Sequence, residues 1–550
     1  MKKQIVIIFT KFLAGMLFFN FILYRMAAAV LPKLPSLGVN RLFLNNSQQF
    51  LNEFRRRGGF FSYYWLGIRA NWGTSYQSGE SVWKPIQPYV GQTLLILLGT
   101  IVVVMTLSFL LFWGLMKIDR ISILRYFQGN WLTYSFFILL LVPLFSTTGI
   151  SWSYNPALNQ NPVQTAAFWT YLLLLTIFGL FKTISVVAQS PIASEVDTDT
   201  LYPDNTSPRN PTVEISPLEL SSIGIKATGI TMLEMMIFLG EFQNIPGLGV
   251  SLFAALYIPD IPVLLAILFF LLLYGFVLNL LFDLLLMLVR SRETRSTQTL
   301  QPLASPKSGQ WYGKLMTSIF IFIMLSASLL WFFTGYSIRI LFLMNPNYVN
   351  IAQRNLSVTA SHILGTDYLG RDRFSRLFYA TGTFTIPVIV AIILRSTIVI
   401  LITKVGGESA MDVKREIFDL FSSVPKYPLL VFIGFMIAYL TSTSFFLIGI
   451  SITVSLLFWG QAGKRFLDMQ RNRENAYREL VVYTMISAVI EYFMISYYVG
   501  ASTLAWGSDI VNAINNFPTQ HPLGFVTIIV FFGAVTGLYA FADSLRNKTV

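Results

Sequence analysis

The sequence predicts an all-α polytopic membrane protein with two bundles of six transmembrane helices, and two observations support this fold class. Of the 550 residues, 54% are hydrophobic and 12% are charged, whereas a soluble domain carries about 25% charged residues. The apolar residues also come in long runs, as helices need when they cross a hydrocarbon core about 30 Å thick with about 20 residues each. A transmembrane barrel would instead show short segments of alternating polarity.

Twelve apolar runs account for the predicted helices, and the runs divide evenly along the chain. In the first half they lie at 4–30, 91–115, 131–150, 165–187, 228–242 and 262–289. In the second half they lie at 315–333, 383–403, 427–441, 443–460, 480–500 and 523–541. The stretch between the halves is polar, without an apolar run, and is typical of a linker. We therefore predict a first half over 1–289, a cytoplasmic linker over 290–313 and a second half over 314–550.

The N-terminal run begins with two lysines and ends in three alanines, a pattern that signal peptides also show. Because the run is too long for a signal peptide and contains Lys11, we interpret it as a retained first helix. Basic residues follow the second, sixth, tenth and twelfth runs, so the positive-inside rule predicts that both termini are cytoplasmic. The segment 189–226 is acidic and rich in Pro, Ser and Thr, and we expect a solvated, partly irregular loop there.

The composition also limits the chemistry of the chain. It has no Cys and two His, His362 and His521, so disulfide, thiolate and histidine-built metal or triad sites are not expected. It lacks a G-x-x-x-x-G-K-[ST] phosphate loop, and any ATP hydrolysis must come from separate subunits. The net charge of +13 lies mainly in short stretches beside apolar runs, where it orients helices rather than binding nucleic acid. We therefore expect membrane lipid around the chain, and no catalytic residue, cofactor, metal or nucleic-acid partner.

One polar segment of the second half is specific enough to compare with a known family. Residues 362–376 read H-I-L-G-T-D-Y-L-G-R-D-R-F-S-R. They resemble the H-x-L-G-T-D-x-x-G-R-D-x-x-S-R segment before the second helix of dipeptide/oligopeptide-type ABC importer permeases. The matching positions considered as the family-motif loop are Gly365, Thr366, Asp367, Gly370, Arg371, Asp372, Ser375 and Arg376.

Shorter matches to the same family follow along the second half. The family's turn between its second and third helices resembles Gly406-Gly407-Glu408, Asp412, Arg415, Asp419 and Ser423-Val424-Pro425. Its W-G dipeptide and its C-terminal G-D-x-L-R-D resemble Trp506-Gly507 and the residues 542–546.

The first half resembles the partner permease of the same importers. Residues 72–75, W-G-T-S, look like its D-L-G-x-S loop, and residues 260–263 match its D-x-P-V before the last helix. A turn motif precedes that match, at Pro246, Gly247, Leu248 and Gly249. The resemblance implies that two normally separate permease subunits are fused in one chain of a bacterial cytoplasmic membrane.

The charges of the family-motif loop favour a structural role over a catalytic one. They alternate in sign over one or two turns, so we expect local ion pairs that stiffen the loop, while its glycines allow bends. No nucleophile, base or metal cluster accompanies the carboxylates.

The outer loops 31–90 and 334–382 are expected to form the docking surface for a soluble partner. The aromatic run within 60–65 either anchors that partner or lies at the lipid boundary, and the boundary is favoured.

Two carboxylates lie deep in apolar runs, where charge is costly and faces protein or water. Glu234 and Glu491 both fall in the fifth helix of their half. They either line a path between the halves or are paired structural carboxylates, and the structural reading is favoured.

The segments that would couple to ATPases depart from the family. In the resembling importers, ATPase subunits dock on a cytoplasmic helix with an E-A-A…G motif. The basic stretch 463–480 and the acidic loop 189–226 lack that motif, so neither is expected to form a packed coupling helix. The candidate partner contacts in this part of the chain are Arg471, Arg473 and Arg478.

The sequence therefore leaves two functions open. The first is a fused importer permease that moves a peptide-like solute, with separate ATPase subunits and a solute-binding lipoprotein as partners. The second is a permease-derived scaffold that no longer transports and holds other subunits of a larger bacterial envelope complex. The extent of the resemblance favours the first, and the altered coupling segments favour the second.

Overall fold

A computed structural model describes most of the chain, and its regular elements are helices. The described residues are 2–30, 52, 59–118, 162–188, 217–242, 244–257, 260–290, 310–334, 343–405, 410–440, 443–468, 473–499, 504–515 and short pieces of 526–541. Within them, strand-like pairing is limited to two isolated bridges, Thr74–Ser81 and Thr366–Asp372. The all-α class is confirmed.

Several predicted features lie outside the described residues. These are the apolar run 131–150, most of the run 523–541, the linker residues 291–309, the loop residues 189–216, the motif residues 406–408, the C-terminal residues 542–546 and the residues 31–51, 53–58 and 335–342 of the two predicted outer loops.

The chain forms two compact units. The division into two halves of six helices that the sequence predicts stays a prediction. The first unit comprises Met1–Trp131, Ile150–Leu303 and Ser423–Phe432. Its helices are α1 (Lys2–Val30), α2 (Phe60–Ile68), α3 (Trp83–Lys117), α4 (Ala166–Ala188), α5 (Pro217–Phe242), α6 (Leu248–Tyr257) and α7 (Ile261–Arg290). Helix α5 packs against α3, α4 and α7, and α1 packs along α7.

The second unit includes Ala304–Ser422 and Ile433–Val550. Its helices are α8 (Gln310–Thr334), α9 (Arg373–Gly382), α10 (Thr385–Lys404), α11 (Met411–Ser422), most of α12 (Lys426–Leu440), α13 (Thr443–Leu457), α14 (Gly460–Asp468), α15 (Arg473–Val499) and α16 (Trp506–Asn515). Helix α10 packs against α13 and α15, α11 packs against α14, and α16 packs against α15.

Seven described helices are long and apolar enough to cross a membrane, and three bent pairs bring the number to ten. Each of the ten coincides with a predicted run, and the other two runs are those that lie wholly or mostly outside the described residues. The bends occur within α5 (47°), between α11 and α12 (68°), and between α13 and α14 (49°). The helix count is therefore consistent with the sequence pattern over the part of the chain that is described.

The fifth helix begins earlier than its hydropathy predicts. Helix α5 starts at Pro217, whereas the apolar run starts at 228. Proline is well suited to the first turn of a helix, because a backbone N–H at that position would have no acceptor within the helix. The expectation of a solvated, partly irregular loop over 189–226 is therefore wrong for 217–226, which are helical. The polar residues Glu219 and Lys226 lower the local hydropathy without stopping the helix, so hydropathy alone misses this first part.

Burial separates inner helices from outer helices within each unit. In the apolar stretch that could cross the membrane, 78% is buried in α7 and 83% in α15. In α1 and in α8 only 22% of that stretch is buried. The exposed part of α1 carries large apolar side chains such as Phe9, Leu13 and Phe21. Such a surface is expected to contact lipid, because a membrane helix has no apolar penalty for facing hydrocarbon.

The lysine that interrupts the N-terminal run is paired inside the first unit. Lys11 Nζ of α1 lies 3.3 Å from Asp283 of α7, whose other carboxylate oxygen contacts Lys226 of α5. One aspartate thus joins three helices. A buried or half-buried charge in a membrane segment is tolerated when it has such a partner.

Candidate functional site

Asp367 organises the family-motif loop through backbone and side-chain hydrogen bonds. Its Oδ1 accepts from the backbone N–H groups of Leu369 and Arg371, each at 2.9 Å. Its Oδ2 accepts from Arg371 Nε at 2.7 Å. Both charged side chains are buried, so this pair is shielded from water. One of the local ion pairs expected from the sequence is therefore present in the structure.

The two glycines of the motif allow close backbone approaches that no other residue could make. Gly370 has a φ of +73°, and a Cβ atom there would lie 1.7 Å from the carbonyl oxygen of Asn350. Gly365 has a φ of +67°, and its Cβ would lie 2.2 Å from the carbonyl oxygen of Leu356. Both the left-handed backbone and the contact require glycine.

Thr366 ties the motif to the preceding turn of the loop. Its Oγ1 accepts from the backbone N–H of Leu356 at 2.9 Å and donates to the carbonyl oxygen of Gln353. Its backbone pairs with Asp372 in an isolated antiparallel bridge. The loop is thus closed on itself before α9 begins.

Asp372 caps α9 and joins three parts of the loop. Its Oδ2 accepts from the backbone N–H of Ser375 at 2.8 Å, the usual N-cap contact, and from Ser375 Oγ at 2.5 Å. Its Oδ1 lies 3.0 Å from His362 Nδ1. Ser375 Oγ in turn accepts from the backbone N–H of Met344 at 2.8 Å. Asp372 is therefore paired with a histidine and a serine rather than with a neighbouring arginine.

Arg376 makes a long-range pair that the sequence did not predict. Its Nε donates to Asp509 Oδ1 at 2.8 Å, and its Nη1 donates to the carbonyl oxygen of Pro346 at 3.2 Å. Burial raises the pKa of Asp509, and the adjacent Arg376 opposes that rise. Because Asp509 lies in α16, the motif loop is fastened to the short helix that follows α15.

The first unit contains a comparable loop. Its residues Thr74 and Ser81 form an isolated antiparallel bridge. Ser75 Oγ donates to Asp260 Oδ2 at 2.5 Å, and Asp260 stands directly before α7. Burial raises the pKa of Asp260, while the Ser75 hydroxyl opposes the rise. In each unit, therefore, a loop with an isolated bridge is hydrogen-bonded to an aspartate in or near the short helix, α6 or α16.

The turn motif of the first half positions α6. Ile245 and Pro246 stand before α6, and the backbone N–H of Leu248 donates to Thr93 Oγ1 of α3 at 3.0 Å. A Cβ at Gly249 would lie 2.4 Å from the carbonyl oxygen of Ile237, so α6 packs closely on α5 there. At Gly247 a Cβ would lie 3.2 Å from Thr93 Oγ1. The glycines allow this approach, as expected of a structural turn.

Glu491 is paired with Arg395 inside the second unit. Arg395 Nη1 donates to Glu491 Oε1 at 3.2 Å, and its Nη2 donates to Oε2. The pair links α10 and α15, and Arg395 is 1% exposed. A small cavity beside it is also lined by Ser451 and Ser455 of α13. This geometry is that of a paired structural carboxylate, and the path-lining role of Glu491 stays a prediction.

Glu234 contacts the start of α12 within the first unit. Its Oε1 accepts from the backbone N–H of Lys426, the first residue of α12. Asn279 of α7 donates to the carbonyl oxygen of Ser423 at 3.2 Å in the same turn. A carboxylate at a helix N-terminus satisfies unpaired N–H groups and complements the helix dipole. Glu234 and Glu491 each lie eight residues before the end of their helix, yet they have different partners.

The stretch 463–480 was not expected to form a packed coupling helix, yet its described residues are helical, 463–468 in α14 and 473–480 in α15. The loss of the family's mode of coupling stays a prediction. Helix α14 packs on α11, with Phe418 and Trp459 buried between them. Lys464 forms an ion pair with Asp419 of α11. The apolar face of this short helix provides its packing energy even though the family motif is missing.

Of the three candidate partner contacts, the structure describes the side chain of Arg478 alone. Arg471 and the side chain of Arg473 lie outside the described residues, as does the side chain of Asp412. Arg478 is exposed in the first turns of α15. Over the described residues, no group of three or more His, Asp or Glu side chains converges in a way that could hold a metal ion.

The described helices define a polytopic, all-helical membrane protein. No family model matches the chain. Over 70 residues, 13% of the chain, it is 34% identical to the metal-staphylopine import system permease protein CntC of Staphylococcus aureus. The matched segment covers 24% of that relative. This similarity supports a permease-like relationship.

Truncating the arginine of the local ion pair tests the role of the loop charges. Arg371→Ala is expected to destabilise the loop by about 1–3 kcal/mol, because a buried carboxylate loses a charged donor. Faster protease cleavage within residues 343–372 would report the effect. Arg371→Asp combined with Asp367→Arg is expected to give no recovery, since Asp367 also accepts two backbone N–H groups that an arginine cannot serve. Recovery in that double variant would show that the two charges alone matter.

Proposed function

We propose that the chain is a fused permease of a peptide-type ABC importer in a bacterial cytoplasmic membrane, with both termini cytoplasmic. It would move a peptide-like solute between its two halves with energy from separate ATPase subunits. The single observation that carries the proposal is the 70-residue similarity to an import system permease. The loop and turn motifs of both halves support it.

The substrate class is proposed from the family resemblance. The relative is named for the import of a metal–staphylopine complex. A small metal-chelating solute is therefore the second substrate class to test, beside a peptide. Uptake assays should therefore offer both a short peptide and a metallophore complex.

We infer that the ATPase contact lies on the surface formed by α11, α14 and the start of α15. Val413 and Arg415 are exposed on α11, and Tyr477 and Arg478 are exposed in the first turns of α15. Helices α11 and α14 pack against each other and are joined by an ion pair, and α14 also packs against α10 and α15. A movement of a docked subunit can therefore be passed through α14 to α10 and α15. It would replace the coupling helix whose motif the chain lacks.

Arg478→Glu tests that contact. The variant is expected to lower recovery of ATPase subunits with the tagged chain, because it reverses an exposed charge without removing a buried contact. Lys84→Glu is a matched control, since Lys84 is an exposed lysine in α3, outside this surface. Equal recovery of ATPase subunits in both variants would place the contact elsewhere.

A scaffold role in an envelope complex is the second candidate, and the altered coupling segments favour it. Affinity purification in mild detergent separates the two functions. Recovery of two ATPase subunits and a solute-binding lipoprotein supports the importer. Recovery of other membrane subunits without ATPases supports the scaffold and overturns the importer.

A further inference from the structure

Helix α2 presents an apolar face that the described residues of the first unit leave uncovered. Phe61 is 77% exposed, Trp65 is 54% exposed and Ile68 is 50% exposed. These positions are spaced by four and three residues, so their side chains lie on one side of a helix. Helix α2 has no acidic or basic residue of its own.

The opposite face of α2 is firmly packed, so the exposed face belongs to a fixed element. Tyr63 is buried, and its ring makes an edge contact with Trp72 at 5.9 Å between centroids. Gly67 lies against the same indole, where a Cβ would be 2.6 Å from Trp72 Cη2. Tyr64 contacts Phe269 of α7 at 5.9 Å.

The exposed face adjoins the surface of a helix that can cross the membrane. Phe60 contacts Phe21 and Tyr24 of α1 at centroid distances of 5.3 and 5.7 Å. Phe21 itself is exposed, together with Leu17 and Phe18 on the same helix. Because only 22% of the α1 span is buried, this surface is expected to face lipid. The apolar face of α2 continues it.

The chemistry at the end of α2 fits the headgroup level of a bilayer. The guanidinium of Arg69, the residue after α2, lies 4.9 Å from the centroid of the Trp65 ring. Tryptophan beside a basic side chain is typical of the membrane–water interface, where the ring is half apolar and the cation meets phosphate. The second unit has exposed aromatic residues at the end of α8, namely Trp331, Phe332 and Phe333.

We propose that α2 is an in-plane interfacial helix that docks on the phospholipid surface, with Phe61, Trp65 and Ile68 at the boundary between headgroups and acyl chains. Arg69 then faces lipid phosphate. The occupant of this face is lipid rather than a protein partner, because the face is continuous with the lipid-facing surface of α1 and carries no carboxylate. Through Gly67 and Trp72, the membrane surface would hold the outer loop 71–82 in place.

The absence of cysteine from the chain allows a clean labelling test. Phe61→Cys is labelled with an environment-sensitive fluorophore, and the protein is placed in vesicles of phosphatidylcholine with or without phosphatidylglycerol. Ser78→Cys is the matched control, since Ser78 is exposed in the loop that α2 holds. The Phe61 label is expected to emit at shorter wavelength, to be quenched by lipids with a nitroxide near the headgroup, and to be several-fold less accessible to iodide than the Ser78 label.

Two outcomes overturn the proposal. One is equal iodide accessibility of the two labels in vesicles. The other is shielding of the Phe61 label that arises only after a soluble binding protein is added, which would make the face a protein-docking surface. Ile68→Cys repeats the measurement on the same face if Phe61→Cys does not fold.

Discussion

Arg395→Met is expected to destabilise the second unit by about 3–5 kcal/mol, because it leaves Glu491 buried without its charged partner. The guanidinium donates to both carboxylate oxygens, and Arg395 is almost fully buried in α10. The loss should be measured as a lower unfolding temperature of the purified protein in detergent. Retained secondary structure at low temperature would show that the variant still folds.

The double variant Arg395→Met with Glu491→Leu is expected to recover most of that stability, since neither side chain then carries an uncompensated charge. Lys84→Met provides the control for losing an exposed ion pair. Lys84 and Glu80 are 72% and 55% exposed, and such pairs contribute about 0–1 kcal/mol. If the single and double variants unfold at the same temperature, the pair does not hold α10 to α15 in the way proposed.

Gly370→Ala is expected to destabilise the family-motif loop by about 2–5 kcal/mol, which combines the cost of a left-handed backbone with that of a forced backbone contact. The added Cβ would meet the carbonyl oxygen of Asn350 at 1.7 Å. The partner atom belongs to the backbone and cannot turn away as a flexible side chain would. Limited proteolysis of residues 343–372 is the direct measurement.

Gly59→Ala separates the two costs. Gly59 has a φ of +104°, but a Cβ there would have no heavy atom within 4 Å. Its ψ of −173° places it in a backbone region that is almost restricted to glycine, so its replacement is expected to cost only the backbone strain, about 1–3 kcal/mol. Similar losses at both positions would mean that the contact with Asn350 relaxes easily and that the loop is not closely packed.

The fold class follows from the sequence because hydropathy depends on local composition. The same pattern could not locate the short helices α6 and α16, since each has ten residues and cannot span a bilayer. It also missed α14, because the stretch 463–480 lacks the family's coupling motif and was not expected to form a packed coupling helix. The amphipathic spacing around Phe466 and Leu467 was the signal that could have found it.

The sequence predicted where the charged residues of the site lie better than it predicted which side chains they contact. The spacing of the motif suggested local ion pairs, and Asp367 does pair with Arg371 four residues away. Arg376 instead reaches Asp509, 133 residues further along the chain. Glu491 and Arg395 are separated by 96 residues. Such contacts depend on how helices pack, which the spacing of one chain segment does not specify.

The most direct test of the importer proposal is uptake by the purified complex in proteoliposomes. The complex should be isolated with its natural partners and supplied with a solute-binding protein loaded with labelled peptide or metallophore complex. The proposal predicts that ATP on the side of the α11–α14 surface drives accumulation of one of these solutes, and that Arg478→Glu reduces it. Isolation without any ATPase subunit, together with equal solute levels with and without ATP, would contradict it.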